Sequence, residues 1–344
     1  MLAPAVAATR TAVRRALRDL VPGTVLVACS GGADSLALAM ATRFVAPRLG
    51  WQAGLVTVDH RLQPGSSGRA EAVAAWAREH GLAPVEVVPA TVAGRPGGPE
   101  AAARSARYEA LAAAAQRLDA AAVLLGHTRD DQAETVLLAL ARGAGPRGLA
   151  AMPAVSRRSW SPVAAMGATS DQDFQVAWVR PFLDLARAQT RAACLALGLD
   201  WWDDPHNTDP AYARARVRAT ALPALVEALG DRVVDNLART ARQLAADNAA
   251  LDALAADALA AARTGDGLSV SALRDLPDAV RTRALHAWAR ELGASGSALS
   301  HRHVAALDAL VTDWHGQGPV HLPGGITVHF AVERGLIRSC DIGE

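Results

Sequence analysis

The sequence predicts an α/β fold: a doubly wound, mostly parallel sheet followed by a mainly helical second domain. Three observations point there. Strand-like and helix-like segments alternate through the first half of the chain, the pattern of βαβ units. A Gly-Gly turn, Ser30-Gly31-Gly32-Ala33-Asp34-Ser35, lies between the apolar run Val25-Leu26-Val27-Ala28 and the helix-compatible run Leu36-Ala37-Leu38-Ala39-Met40. From about residue 213 the pattern is almost wholly helical.

Taken in order, residues 1–20 read as an arginine-bearing amphipathic helix. Strands are expected at 24–29, 53–58, 84–88 and 121–126, and helices at 35–46, 67–80, 99–118 and 129–142. Ligands of such sheets bind at the carboxyl ends of the strands. Ser30, Asp59-His60 and His127 fall at those ends. Residues 155–174 are polar and irregular and read as a surface loop. A strand at 175–180 follows, then Pro181 and a helix from Asp184 to about Leu197. Asp, Pro, His and Asn cluster at 200–212, which sets the boundary between domains of 1–212 and 213–344. In the second domain, Leu237, Leu244, Leu251, Leu254 and Leu259 recur near heptad spacing within 231–263, a helix-packing stripe. Helices at 277–292 and 300–314 follow. Apolar segments at 319–322, 326–330 and 335–338, broken by Pro323-Gly324-Gly325 and Gly335, suggest a small terminal sheet.

Composition narrows the function classes. The chain has 344 residues and is 51% hydrophobic with only 4% aromatics, so its helices pack through shallow, alanine-lined interfaces. A net charge of +1 excludes a nucleic-acid-binding polyelectrolyte, so RNA contacts must come from local arginine clusters. All 35 basic residues are arginine; there is no lysine. Cys29, Cys194 and Cys340 form no C-x-x-C, against a zinc knuckle, an iron–sulfur cluster or a disulfide framework. With no apolar run of about 20 residues and no signal segment, a soluble cytoplasmic protein is expected.

The chemistry begins at the Gly-Gly turn. Glycines let backbone approach phosphate oxygens, and a helix N-terminus offers free N–H groups and a positive dipole end. Ser30 and Ser35 add hydroxyl donors. The loop lacks the G-x-x-x-x-G-K-[ST] spacing, so it is not a Walker A loop. Taken alone, Gly-Gly would be an ordinary turn with a helix cap. Downstream, His127, Asp131 and Glu134 are spaced i, i+4, i+7, which places them on one helical face. An imidazole and two carboxylates there can bind Mg²⁺, hold an ammonium group or move protons. The plainer alternative is an acidic first turn capped by Asp130. Arg104 and Arg107 share a face and can neutralise phosphate; judged alone they fit a solvated face paired with Glu100.

Together these motifs are specific. The hexapeptide resembles the pyrophosphate loop of the N-type ATP pyrophosphatases. Asp59-His60-Arg61-Leu62, Glu100 to Tyr108, Gly126 to Thr135, Arg142 to Leu149, Arg180-Pro181-Phe182-Leu183 and Asn207 to Arg214 follow in order. The set resembles the tRNA(Ile)-lysidine synthetase family over residues 30–218. Three positions depart from its pattern: Gln63, His206 and Ala215. The resemblance implies adenylation of C2 of the wobble cytidine in isoleucine tRNA by ATP. Free L-lysine then displaces AMP to give lysidine. It implies ATP contacts from Ser30, Gly31, Gly32, Ala33, Asp34, Ser35, Asp59, His60, Arg104 and Gly126. Catalytic roles fall on Asp34, Arg107, His127, Asp131 and Glu134. No dedicated metal site is expected; Mg²⁺ accompanies ATP, with Asp34 and Asp131 as its candidate carboxylates. Isoleucine tRNA would meet Arg142, Arg147, Arg214 and Arg218, and the pair Arg281 and Arg283 is a further candidate cluster. No membrane partner is expected, and a homodimer is left open. The alternatives are another tRNA-modifying or amide-forming ATP pyrophosphatase of this superfamily, or a non-catalytic nucleotide- or RNA-binding module.

Overall fold

Short apolar runs make the first sheet. The computed structural model describes residues 2–61, 65–91, 98–160, 174–205, 208–265, 267–296 and 298–340. The chain begins with α1 (Pro4–Leu17), β1 (Thr24–Ala28), α2 (Ala33–Val45), β2 (Gln52–Asp59), α3 (Ser66–Glu79) and β3 (Val85–Pro89). It continues through α4 (Gly98–Arg117), β4 (Ala120–Leu125), α5 (Arg129–Ala141) and α6 (Pro146–Leu149). Then come β5 (Val155–Trp160), β6 (Phe174–Val179) and α7 (Arg187–Ala196). The strand order is β3-β2-β1-β4-β6-β5, parallel except where β5 pairs antiparallel with β6. Strand order reverses direction between β1 and β4, and that switch point is where doubly wound sheets bind ligands.

Strands buried on both faces read as continuous apolar runs. Val25, Val27, Leu55, Leu124 and Val179 join Val13, Leu17, Leu38 and Cys194 in one core, on the side of α1, α2 and α7. The alternate residues Leu26, Val56, Val123, Leu125 and Trp178 join Leu111 and Ala115 of α4 in the other.

One segment corrects the sequence reading. Residues 155–160 belong to β5 rather than to a loop. As an edge strand it carries polar and charged residues, which protect an open edge but erase the apolar signal. Residues 161–173 of that expected loop lie outside the described residues, as do Gln63, His206 and Asn207.

Beyond the Asp/Pro-rich stretch, one helical rod is built from α8 (Ala213–Arg216), a π-helical turn (Val217–Ala221) and α9 (Leu222–Leu229). The cause of the wide turn is legible. Pro223 has no N–H for the carbonyl of Ala219, and its ring crowds that carbonyl, so the ladder widens by one residue. The long helix α10 (Val233–Ala262) follows. The compact units are residues 1–242 and 243–344. The stretch after 212 thus sides with the sheet unit, because Arg214 and Arg218 reach back to Glu134 on α5.

The second unit completes α10 and adds β7 (Arg263–Thr264), β8 (Gly267–Ser269), α11 (Val270–Arg274), α12 (Asp278–Glu291) and α13 (His301–Thr312). The strands β9 (Val320–Leu322), β10 (Ile326–Ala331) and β11 (Leu336–Cys340) form a sheet with them in the order β7-β8-β11-β10-β9. Leu273, Leu285, Trp288, Leu307, Leu310, Val328 and Ile337 make its core. Arg281 is 5% exposed. It donates to Asp308 and Asp278 and to the carbonyls of Arg274 and Leu276. Arg283 likewise bonds Asp252 and Asn248. Both arginines tie this unit together instead of facing solvent for RNA. Arg281→Met should cost about 2–3 kcal/mol by stranding Asp308 and two carbonyls. Hydrogen exchange over α12 and α13 measures that loss. The salt slope of the RNA binding that the sequence leads one to expect should stay unchanged, whereas losing a phosphate contact would lower it by about 1.

Candidate active site

The carboxyl end of β1 leads directly into the phosphate-type loop. Gly31 holds φ +82°, and a Cβ there would sit 3.0 Å from Val73 Cγ2, so the turn requires glycine. Gly32 caps α2 in an extended conformation, and Ala33 opens the helix. Ser35 turns inward: its hydroxyl accepts the Ser30 N–H at 3.2 Å and donates to the Gly32 carbonyl at 2.8 Å, closing the loop on itself. The Trp202 N–H donates to the Gly31 carbonyl at 3.0 Å. Gly126, just after β4, presses on the same junction; a Cβ would lie 3.2 Å from the Asp34 carbonyl. The thiols of Cys29 and Cys194 are buried beneath it, donating to Ser35 Oγ at 3.4 Å and the Ala33 carbonyl at 3.2 Å.

Above the loop lies a cavity of about 400 Å³, lined by Ser30, Gly32, Asp59, His60, Arg69, Arg104, Arg107, Tyr108, His127, Trp202 and Asp204 among others. That volume suits a nucleotide-sized ligand. Burial would raise the Asp59 carboxyl, but the Ser66 hydroxyl, the Arg61 N–H at 3.0 Å and the Arg61 guanidinium outweigh it and hold its pKa below the usual value. Burial, then the nearby Arg107, depresses the pKa of His60. His127 is also depressed, by burial first; Asp131 pulls the other way, and Arg107, Arg180 and Arg104 add to the depression. Both imidazoles are neutral at pH 7, and the Nδ1 of each is sealed from solvent with no hydrogen-bond partner among the described residues. Both rings belong to the cavity wall, and a buried polar atom without a partner is a group that a bound polar ligand can satisfy. Arg180 braces this wall, donating to the Pro153 carbonyl at 2.9 Å and to the Tyr108 hydroxyl at 3.4 Å.

Asp34, Asp131 and Glu134 do not line the cavity. They form a second cluster with arginines from three elements. Arg187 Nη2 donates to Asp131 Oδ1 at 2.9 Å and Glu134 Oε1 at 3.2 Å, and its Nε lies 3.8 Å from Asp34. Arg218 grips both oxygens of Glu134, at 2.8 and 3.1 Å, and lies 3.5 Å from Asp131. Arg214 Nε is 3.3 Å from Glu134 without hydrogen-bond alignment, while its Nη2 donates to Thr135 Oγ1 at 2.7 Å. The other Asp131 oxygen accepts from the Thr128 N–H and hydroxyl at 2.7 and 2.8 Å. Thr190 on α7 donates to Asp34. Burial raises the Asp34 pKa to about 6, assisted by Asp131 and opposed by Thr190, Arg187 and Arg218. Burial also works against the Asp131 charge, but Arg187 first, then His127 and the Thr128 N–H, hold its pKa below the usual carboxylate range.

The expected single face of His127, Asp131 and Glu134 therefore does not form. Thr128 is the helix cap and α5 begins at Arg129, so His127 lies outside the helical register. It faces the cavity, while the carboxylates face Arg187, Arg214 and Arg218. The last two are turned inward onto acids. Arg142 and Arg147 are exposed beyond the far end of α5, about 20 Å along the helix from its start. Arg187 was not singled out by sequence; it stands in no motif, and only the fold brings α7 against α2 and α5. Among the described residues no group of three His, Cys, Asp or Glu side chains is gathered as a metal site. Thr128 and Arg187 take both oxygens of Asp131, whereas Asp34 accepts from Thr190 on one oxygen and keeps the other 3.8 Å from Arg187, so the two carboxylates are not a preformed Mg²⁺ cage. No described helix is long and apolar enough to cross a membrane.

Known proteins match both parts of the chain. Residues 7–225 match the PP-loop domain family and residues 268–335 the TilS substrate binding domain. The tRNA(Ile)-lysidine synthase of Salinispora tropica is 68% identical over 329 residues, covering 95% of this chain and 94% of its own. That of Thermobifida fusca is 55% identical over 323 residues, covering 93% and 94%. That of Streptomyces coelicolor is 52% identical over 364 residues, covering 97% and 98%. Among solved structures, the U34-tRNA thiolase NcsA from Methanococcus maripaludis shares the fold at TM-score 0.54 and 16% identity, over 70% of this chain and 79% of that one. The chain belongs to the tRNA(Ile)-lysidine synthase family.

Proposed function

We propose that this protein is a ligase that joins free L-lysine to C2 of the wobble cytidine of isoleucine tRNA, consuming ATP and releasing AMP and pyrophosphate. One observation carries the reading: a glycine loop at the switch point opens into a cavity with Arg104, Arg107 and two neutral imidazoles on its walls. ATP is the substrate bound there. The cytidine carbonyl oxygen attacks the α-phosphorus and pyrophosphate departs into the loop. The N–H groups at the start of α2 and the two guanidiniums stabilise the charge that develops. Neutral His127 donates a hydrogen bond without adding charge, and its low pKa makes it a poor proton acceptor at pH 7. Mg²⁺ travels with the nucleotide phosphates rather than in a protein cage.

In the second half-reaction the lysine amine attacks C2 and displaces AMP. Asp131 and Glu134 hold the incoming ammonium. Asp34, whose pKa of about 6 is near the ideal for proton transfer, accepts its proton. The sign of the pH dependence follows: lysidine formation falls as pH drops through about 6 and Asp34 is neutralised. Thr190→Val removes a donor that favours the carboxylate. The acid limb of the pH profile should then move upward by about one to two units, a hydrogen bond to a charged group being worth about 1.5–3 kcal/mol.

Labelled ATP, lysine and isoleucine tRNA test the whole reading. AMP release that requires both lysine and this tRNA supports it. Release independent of lysine overturns it.

A further inference from the structure

One side chain on the cavity wall has a proton to give and no acceptor for it. Tyr108 stands on α4, lines the cavity, and packs its ring against Trp178 of β6 with centroids 5.0 Å apart. A phenol hydroxyl has one proton to donate and two lone pairs with which to accept. Both lone pairs are in use. Arg104 Nη2 and Arg180 Nη2 each donate to the Tyr108 oxygen at 3.4 Å. A guanidinium carries no acceptor atom, so neither arginine can take the phenol proton in return. Among the described residues that proton is donated to nothing. Arg180, one of the two donors, is itself fixed: it is 6% exposed and bonds the Pro153 carbonyl at 2.9 Å.

The charges around the phenol select its acceptor. Arg104 and Arg107 stand on the same helix, and Arg180 follows β6. Among the described residues no carboxylate is paired with any of the three. His60 and His127 on the same cavity are neutral at pH 7. The ligand that suits such a wall is an anion with several acceptor oxygens, and a phosphate is that group. Burial works to raise the Tyr108 pKa, but Arg104 and Arg180, then Arg107, outweigh it and hold it below the usual value. A more acidic phenol is a stronger hydrogen-bond donor.

We propose that Tyr108 is a substrate-binding residue that donates its phenol hydrogen bond to a phosphate oxygen of ATP. The proposal rests on the ATP reading of the cavity given above. The labour is divided: the guanidiniums supply charge, and the phenol supplies a neutral, directional bond that they hold in place. Phenylalanine at this position keeps the packing on Trp178 and loses only the hydroxyl.

Equilibrium dialysis of α,β-methylene-ATP, which cannot lose pyrophosphate, against the full chain tests this. Tyr108→Phe should bind the analogue roughly 10- to 100-fold more weakly than wild type, the loss of one hydrogen bond to a charged group. It should bind adenosine, which has no phosphate, as wild type does. A second measurement reads the direction of the bond. The chain holds two tyrosines, Tyr108 and Tyr212, so growth on fluorotyrosine labels only these. Ring fluorine makes a phenol a better donor and a poorer acceptor. At a pH where the phenol stays protonated, labelled wild type should bind the analogue more tightly than unlabelled. Labelled Tyr108→Phe, in which only Tyr212 carries fluorine, is the reference. Weaker binding by the labelled protein overturns the proposal, because the phenol then serves only to accept from the arginines. Equal affinity of wild type and Tyr108→Phe overturns it too, as does a loss that extends equally to adenosine. Failure of wild type to bind the analogue at all overturns the ATP reading itself; binding indifferent to the phenol overturns only the role of Tyr108.

Discussion

Replacing Gly31 by alanine should lower tRNA-dependent pyrophosphate release on the order of 100-fold while the protein stays folded. The residue holds φ +82°, where an L side chain costs about 1–2 kcal/mol. Its new Cβ would also lie 3.0 Å from Val73 Cγ2, so relief has to come from moving the loop or α3. A shift of about 1 Å in a positioning element is enough for a loss of that size. Gly50 supplies the control. It has φ +77° and nothing closer than Pro22 Cβ at 3.8 Å, and it lies away from the cavity. Gly50→Ala should therefore cost similar stability in a thermal melt and leave pyrophosphate release at the wild-type rate. Equal losses of activity in the two variants would mean that the loop contributes only stability.

Glu134→Gln should separate the two half-reactions. The amide preserves shape but removes the carboxylate that faces Arg214 and Arg218. The cluster then carries an excess positive charge, and the lysine ammonium loses a charge-assisted partner worth about 1.5–3 kcal/mol. The Michaelis constant for lysine should rise roughly 10- to 100-fold. Adenylated tRNA should still form and accumulate, because Glu134 does not line the nucleotide cavity. Single-turnover trapping with labelled ATP measures both. Failure of adenylation itself, partly rescued by added Mg²⁺, would instead assign Glu134 to the metal. The variant should also melt earlier, since two guanidiniums lose their main counter-charge.

The parts of this molecule that follow from local sequence were legible. Continuous apolar runs gave β1, β2 and β4 because parallel strands are buried on both faces. The Gly-Gly turn announced a loop that only glycine can make. What escaped depends on distant packing. β5 is polar because it is an edge, and polarity without periodicity reads as loop. The spacing of His127, Asp131 and Glu134 misled because helical geometry applies only inside the helix, and α5 starts two residues after His127. Arg214 and Arg218 share a face and resemble a solvated basic stripe. Their partner Glu134 is 84 residues before Arg218, so no window along the chain contains both. Arg187 was invisible for the same reason, and Pro223 looked like an ordinary break rather than the cause of a wide turn.

The two thiols beneath the glycine loop have a consequence of another kind. Burial raises the pKa of Cys29 and pushes that of Cys194 to about 11, so neither is a nucleophile at neutral pH. Each is also a strut, one on Ser35 and one on Ala33. An alkylating or oxidising reagent can reach them only when the loop parts from the helix beneath it. Their chemical damage is therefore metered by the breathing of the loop, and a bound polyanion that clamps the loop shut doubles as their antioxidant.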